Sequence, residues 1–283
     1  MGNEIIRNIV VVSDLHCGCK FGLCPDRVRL DEGGTYEASR FQRIVHDMWL
    51  RFWGEFVPEA TNGEPYAVVV NGDSLDGVHH KSTTQISHNT KDQRRIAVEL
   101  LTPVAEACDG RFYMVRGTEA HVGQSGEDEE EVAMSCGAVH DSDGNASRHD
   151  LWMYCGDGLV HFSHHIGTTG TMHYETTAIL KELAEAYTEA GRNRTVPPDI
   201  IVRSHRHRCA EIRIPTKIGY GISFTTPGWQ LKTPFVHRIP GGRATTPQIG
   251  GSVIRQAHGG ELYTRHRVWT LDRPKPEIVT CEL

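Results

Sequence analysis

The chain has little that would commit it to a membrane, a secretory route or a nucleic acid. No apolar run approaches the roughly 20 residues needed to cross a bilayer, so no membrane partner is expected. The opening, MGNEIIRNIVVVSDLH, has neither a basic segment nor a small-residue cleavage site and does not read as a signal peptide. Ile6 stands where a myristoylation signal requires Ser or Thr. A formal net charge of −6 leaves no basic footprint of the kind a nucleic-acid binder carries. Cysteines occur at 17, 19, 24, 108, 136, 155, 209 and 281, without a pair of CxxC motifs. Cys17, Cys19 and Cys24 crowd together, but nothing completes a zinc knuckle. A chain of this size needs no stapling, so the cysteines read as reduced thiols and the expected compartment is the cytoplasm.

What is present is an alternation of elements. Residues 5–12 are an apolar, β-branched run that reads as a buried strand. A Gly-, Cys- and Pro-containing loop, 17–35, leads into EASRFQRIVHDMWLRFWGEF. This stretch has helical spacing with an apolar face of Phe41, Ile44, Val45, Met48, Leu50 and Phe52. YAVVVNGDSLDG is a second strand, 78–90 a polar loop, 91–108 a helix that Pro103 kinks or restarts, and RFYMVRG a third strand. This β-α-β-α-β order predicts an α/β fold with parallel strands at its core. GEDEEEVAMSCGAVH reads as a short helix whose acidic start suits the helix dipole and forms a solvated face. LWMYCGDGLVHFSHH reads as a hairpin turning at Gly156–Gly158, 171–190 as a helix and DIIVRSHRHR as another strand. Residues 209–283 read as short alternating strands between Gly/Pro loops. With no repeat and no linker, residues 1–283 are expected to form one domain.

Histidine is in excess, at 17, and where the histidines fall matters more than how many there are. Five strand ends carry polar clusters: Asp14-Leu15-His16; Gly72-Asp73 with Asp76; Gly117-Thr118-Glu119-Ala120-His121; His164-His165; and His205-Arg206-His207. In open α/β sheets the carboxyl ends of the parallel strands share one edge, the usual place for chemistry. Just past a strand, the period of two puts residues i and i+2 on one side. Asp-x-His and His-x-His can therefore each reach one ion, or two adjacent ones. Mixed carboxylate and imidazole donors favour Mn, Fe, Zn or Ni over Ca or Mg alone.

In this order the clusters resemble those of the calcineurin-like metallophosphoesterase family. DLH (14–16), GDSLD (72–76), GTEAH (117–121), SHH (163–165) and SHRH (204–207) stand where the family has D-x-H, G-D-x-x-D, G-N-H, a His after a strand, and G-H-x-H. The chain departs from the pattern twice. GTEAH replaces GNH and is similar to a variant among phage-type members, and Ser204 replaces a Gly. The resemblance spans residues 9–207. It implies an α/β sandwich of two mixed β-sheets flanked by helices, with 208–283 completing the second sheet and the substrate-side loops. It also implies two divalent metal ions, Mn foremost, with Fe, Zn or Ni as alternatives. Asp14, His16, Asp73 and His207 would hold the first ion; Asp73 would bridge to the second, completed by His164 and His205. The family's Asn ligand has no identical counterpart. Glu119 is taken as its substitute through a carboxylate oxygen, and Thr118, in strict register with that Asn but a neutral hydroxyl, is the alternative. His165 is the alternative to His164. His121 would protonate the leaving group. The implied reaction is hydrolysis of a phosphomonoester or phosphodiester by a hydroxide bridging the ions. The substrate would be a nucleotide or small molecule, or a nucleic acid; oligomeric state is not legible.

Plainer readings stand beside these. Asp76 reads as a residue that orients a ligand or caps a turn. Arg116 and Arg206 are phosphate contacts or surface residues, Trp229 is a stacking platform or core, and His161 is core or surface. His79, His80 and His88 read as a solvated loop beside the metal edge. A nuclease of the same family and a metal-bound, non-catalytic scaffold are the rival functions. An amidohydrolase barrel would place His-x-His at the first strand rather than the last, and HRHRCAE lacks the HxHxDH of a metallo-β-lactamase.

Overall fold

The first strand, β1 (Asn8–Val12), is buried along its whole length, as is β4 (Ala67–Asn71). Such runs need cover on both faces. In the computed structural model, which describes residues 5–79, 81–167, 174–217, 219–238, 245–271 and 277, they receive it from two different layers. His80 and Cys281 lie outside the described residues. Ile9, Val11 and Val69 point into an apolar layer with Val160, Phe162, Ile200, Val202 and Phe224. Their alternates, Val10, Val12, Val68 and Val70, point the other way, onto Val45 and Trp49 of helix α1 (Arg40–Arg51) and Ile96 and Leu101 of α3 (Thr90–Ala107).

Two mixed sheets result. In the first, β1 pairs parallel with β4, β4 with β5 (Phe112–Val115), and β5 with β6 (Ser147–Arg148). On its other side β1 pairs antiparallel with β12 (Gln248–Gln256), and β12 with β13 (Leu262–Thr270). The second sheet has the order β10 (Ala210–Thr216), β11 (Gly219–Thr225), β9 (Ile200–Arg203), β8 (Gly158–Ser163), β7 (Asp150–Cys155), with parallel pairing only between β11 and β9 and between β9 and β8. Helix α6 (Glu175–Asn193) packs on β10 and β11. Strands β2 (Arg27–Arg29) and β3 (Thr35–Glu37) form a separate ribbon. Short helices complete the chain: α2 (Val57–Thr61), α4 (Glu119–Val122) and α5 (Glu127–Ser135). Two mixed sheets flanked by helices are the architecture that the sequence resemblance implies.

Four details differ from the sequence reading. The buried ridge of α1 is Gln42, Val45 and Trp49, while Phe41, Ile44 and Leu50 are exposed. Gln42 can be buried because its amide is fully used: it accepts from Ser39 N and Tyr36 Oη and donates to the Cys19 carbonyl. Pro103 sits inside an unbroken α3. Strands β12 and β13 are long and extend the first sheet; only β10 and β11 complete the second. The acidic run on α5 is not a solvated face: Glu129 is 0% exposed, Asp128 pairs with Arg94 at 3.2 Å, and Glu130 accepts from the amides of Ala146 and Ser147.

The free edges of the two sheets are joined by a polar clip. His266 on β13 contacts Glu211 on β10 at 2.9 Å through Nε2 and Ser252 on β12 at 2.8 Å through Nδ1. Arg213 and Thr264 also hold Glu211. Burial opposes charge on both partners. Even so, contacts with Cys209 and Glu211 lift His266 to about 9, and His266, Thr264 and Arg213 draw Glu211 down to about 2. Stability from a raised histidine is complete below about 6.5 and lost as pH rises through about 9. Stability from a depressed glutamate is present above about 4.5 and lost as pH falls through about 2. Urea unfolding of His266→Ala is expected to show a loss of about 1–3 kcal/mol between pH 4.5 and 6.5. The gap to wild type should narrow above pH 9.

Candidate metal centre

The parallel strands β1, β4, β5, β8 and β9 all end at the same edge, and each is followed by one of the five polar clusters. The loops after β1 and β4 continue to pair beyond their strands: Asp14 N donates to the Gly72 carbonyl at 2.9 Å and His16 N to the Asp73 carbonyl at 3.0 Å. The backbone then turns sharply. Asp14, His16, Asp73, His205 and His207 all have positive φ, between 46° and 69°. Non-glycine residues adopt that conformation at a cost of roughly 1–3 kcal/mol each and hold it only where the surroundings enforce it. Two glycines permit the crowding. A Cβ on Gly72 would come within 2.4 Å of the His164 ring, and one on Gly117 within 2.2 Å of Asp73.

The side chains converge in two adjoining groups, and a third, of His16, Asp76 and His121, shares His16 with the first. Donor atoms of Asp14, His16 and His207 lie within 4.8 Å of one another, as do those of Asp73, His164 and His205. The Nε2 atoms of His16 and His207 face each other at 3.2 Å, and His207 Nε2 is 3.2 Å from Asp14 Oδ1. Asp73 Oδ2 joins the groups: it lies 3.1 Å from His164 Nε2 and 4.0 Å from both His16 Nε2 and His205 Nδ1. Asp14 Oδ1 and His164 Nε2 are buried without a hydrogen bond, although each faces a donor or acceptor of another ligand. Buried polar atoms are normally satisfied. Donor atoms that converge on a common point are what a cation requires. The donor set fits divalent transition metals.

Outer contacts fix the rings. His164 Nδ1 donates to the Asn71 carbonyl at 2.7 Å, which leaves Nε2 to face Asp73. His16 Nδ1 lies 3.3 Å from Asp76 Oδ1, the orienting role read for Asp76, which Gln85 also holds at 2.8 Å. Below the ligands, Asn71 Nδ2 reaches Ser204 Oγ at 2.7 Å, Thr226 Oγ1 reaches the same oxygen at 2.8 Å, and Ser13 contacts Thr226 at 2.6 Å and Asp14 at 2.5 Å. Ser204, the departure from the family's Gly, is thus a link in a hydroxyl network that ties the two sheets together under the site.

Charge follows from this packing. Burial opposes the ionised form of Asp14, but His207 outweighs it and brings the carboxyl down to about 2. Burial likewise opposes a charged His164, and the Asp73 carboxylate overrides it, lifting the imidazole to about 10. Asp73 is itself held well below the ordinary carboxylate range, chiefly by His164 acting against burial. Burial and the neighbouring His16 push His121 down to about 4.

The remaining candidates separate clearly. His164 is buried and lies in a group of converging donors, whereas His165 is exposed and lies outside those groups among the described residues. Thr118 enters the second group: its N–H donates to Asp73 Oδ1 at 2.7 Å and its hydroxyl lies 3.2 Å from His205 Nδ1. Glu119 is exposed at the start of α4 and lies outside every group of converging donors among the described residues. One turn of helix begins at Glu119 and rotates it away, a feature that the short GTEAH string did not signal. His121 Nδ1 bonds the Asp76 carbonyl at 2.6 Å, and its ring lies 4.6 Å from that of His16. His79 is not merely a solvated loop residue, since its ring meets that of His121 at 4.5 Å. Arg116 is occupied by Ser147 and Glu130, and Arg206 reaches the Glu175 carbonyl. Trp229 is fully buried against Trp49 and Phe52, so it is core and not a stacking platform. His161 stacks on Trp152 at 4.1 Å, away from the site. No cysteine takes part in a group of converging donors among the described residues, and the described cysteines are free thiols.

Among the described residues no helix is long and apolar enough to cross a membrane. No protein-family model matches the chain, and no curated protein does. Solved structures resemble it distantly. One is a conserved uncharacterized protein from Streptococcus pneumoniae described as a predicted phosphoesterase (11% identity, 92% of this chain and 98% of that one, TM-score 0.34). Another is Vps29 from Entamoeba histolytica complexed with Zn2+ (9%, 93% and 98%, 0.38). A third is the sulfate thiohydrolase SoxB from Thermus thermophilus (13%, 95% and 57%, 0.39). Similarity at this level carries no argument about activity; the side chains must do so.

Two outcomes are expected. Thr118→Ala should weaken binding of one ion in a calorimetric Mn2+ titration, while Glu119→Ala leaves both affinities as in wild type. Because His164 holds a proton until about pH 10 in the metal-free site, ion binding should release that proton, and affinity should rise with pH between 6 and 8. Calorimetry in buffers of different ionisation enthalpy measures the release directly.

Proposed function

We propose that the chain is a metal-dependent phosphoester hydrolase of the calcineurin-like metallophosphoesterase type, with two divalent ions, Mn foremost. The observation that carries this reading is the pair of adjoining donor groups that share Asp73: Asp14, His16 and His207 on one side, His164 and His205 on the other. Thr118 stands where the family has Asn. Such a pair of ions acidifies a water at neutral pH and neutralises the oxygens of a phosphoryl group.

The chain's own residues supply the rest. Asp73, fixed through Oδ1 by the Thr118 amide, keeps Oδ2 directed between the two groups. His121 faces the same space with Nδ1–H committed to the Asp76 carbonyl, so proton exchange falls to Nε2. At neutral pH the ring is uncharged, held down by burial and by His16. To act as the leaving-group acid it needs the negative charge of a bound phosphoester to raise its proton affinity. The free thiols support a reducing, cytoplasmic setting.

Bis(p-nitrophenyl) phosphate or p-nitrophenyl phosphate should be hydrolysed with added Mn2+ and not in excess chelator. Asp73→Asn should abolish turnover with the fold intact by circular dichroism; full activity in that variant would sink the assignment. His121→Ala should lose about 10²–10⁴-fold with an alkyl leaving group and far less with nitrophenol. Equal losses on both substrates would assign His121 to positioning instead.

A further inference from the structure

Glu129 belongs to the acidic run on α5, yet it is 0% exposed and, among the described residues, faces no cation. An ionised carboxylate is costly to bury unless hydrogen bonds replace its water. Three do so in part, although burial still pushes the carboxyl up to about 7: its Oε1 accepts from Ser74 N at 2.8 Å and Ser74 Oγ at 2.9 Å, and its Oε2 accepts from Gly117 N at 2.7 Å. Ser74 directly follows Asp73, and Gly117 directly precedes Thr118. Thr118 N in turn donates to Asp73 Oδ1 at 2.7 Å. The contacts close into a ring that runs from Asp73 through Ser74, Glu129, Gly117 and Thr118 back to Asp73. The other carboxylates of the run serve elsewhere: Asp128 and Glu131 hold Arg94, and Glu130 holds the start of β6.

We propose that Glu129 is a positioning residue for the metal centre: by clamping the Asp73 loop to the Thr118 loop, it sets the spacing of the donors around the ion they share. It touches neither ion nor substrate. The clamp acts at Ser74, one residue past Asp73, whose backbone is in positive φ, and at Gly117, where an added Cβ would lie 2.2 Å from Asp73. An amide in place of the carboxylate would accept from Ser74 but turn its NH2 toward the Gly117 N–H, donor against donor. The two loops would then part without any ligand having been changed. The inference rests on the proposed dinuclear site.

The test uses the full chain, stripped of metal and titrated with Mn2+ by calorimetry, with urea unfolding of each metal-free protein alongside. Glu129→Gln is expected to fold and to bind the more weakly held ion about 10–100-fold less tightly. Saturating Mn2+ should partly restore its kcat. Ser74→Ala, which keeps the carboxylate and both amide bonds, should lose affinity in the same direction but by less. Wild-type affinity for both ions in Glu129→Gln, whatever its stability, overturns the role of Glu129 and leaves the proposed function standing. Should Glu129→Gln not fold, Glu129→Asp, which draws the carboxylate back from both backbone amides, takes its place, and wild-type affinity for both ions there overturns the role. A wild-type chain that binds no ion overturns both proposals.

Discussion

The site depends on one carboxylate held in place from all sides. Asp73 Oδ1 is committed to the Thr118 amide, and Oδ2 stands 3.1 Å from His164 with His16 and His205 beyond it. Burial alone would neutralise such a group. It stays ionised because imidazoles from three separate segments surround it, and His164 does most to hold it so. In the metal-free protein the cluster therefore solves its own charge problem, with histidine protons standing in for cations. A divalent ion that displaces those protons meets carboxylates already desolvated and already aimed.

Holding that arrangement has a conformational cost, which the fold absorbs. The strained turns at Asp14, His16, Asp73, His205 and His207 lie just past strands whose ladders are fully formed, so each loop starts from a rigid base. The Asn71–Ser204–Thr226–Ser13 network spans the gap between the two sheets directly beneath the donors. The first sheet contributes Asp14, His16 and Asp73, and the second contributes His164, His205 and His207. Each donor group therefore straddles the two sheets, so its closure depends on the spacing between them, set by the apolar layer of Val11, Val69, Phe162 and Phe224.

How much of this could be read from the chain follows from what each signal encodes. Strand ends are legible because an apolar run that stops at a polar cluster is a local pattern, as at β1, β4, β5 and β9, while β8 shows as the second arm of a hairpin turning at Gly156–Gly158. The ridge of α1 was misread because Gln42 looks polar in sequence, whereas its amide is fully satisfied once folded. The exposed position of Glu119 and the placement of Thr118 beside Asp73 come from a single turn of helix that five residues cannot announce. The acidic run misled for a related reason. Composition cannot separate a carboxylate that faces water from one that faces two backbone amides, and Glu129 differs from its neighbours only in the loops that lie opposite it. The position of β12 and β13 on the first sheet depends on pairing across more than 200 residues, which no local pattern carries.

The same reasoning separates the two halves of the site. The Asp14–His16–His207 group has its histidine ring braced by Asp76, its carboxylate braced by Ser13, and the Asp14 carbonyl tied to the core through Trp229 N at 2.9 Å. The Asp73–His164–His205 group has one buried histidine braced by a carbonyl and another, His205, more than a third exposed and steadied by a hydroxyl at 3.2 Å. With only the neutral hydroxyl of Thr118 beside His205, the second group has the looser frame. The difference between an outer contact that steadies a ligand and one that does not is therefore felt most on that side, and it is that side on which the buried carboxylate of Glu129 acts.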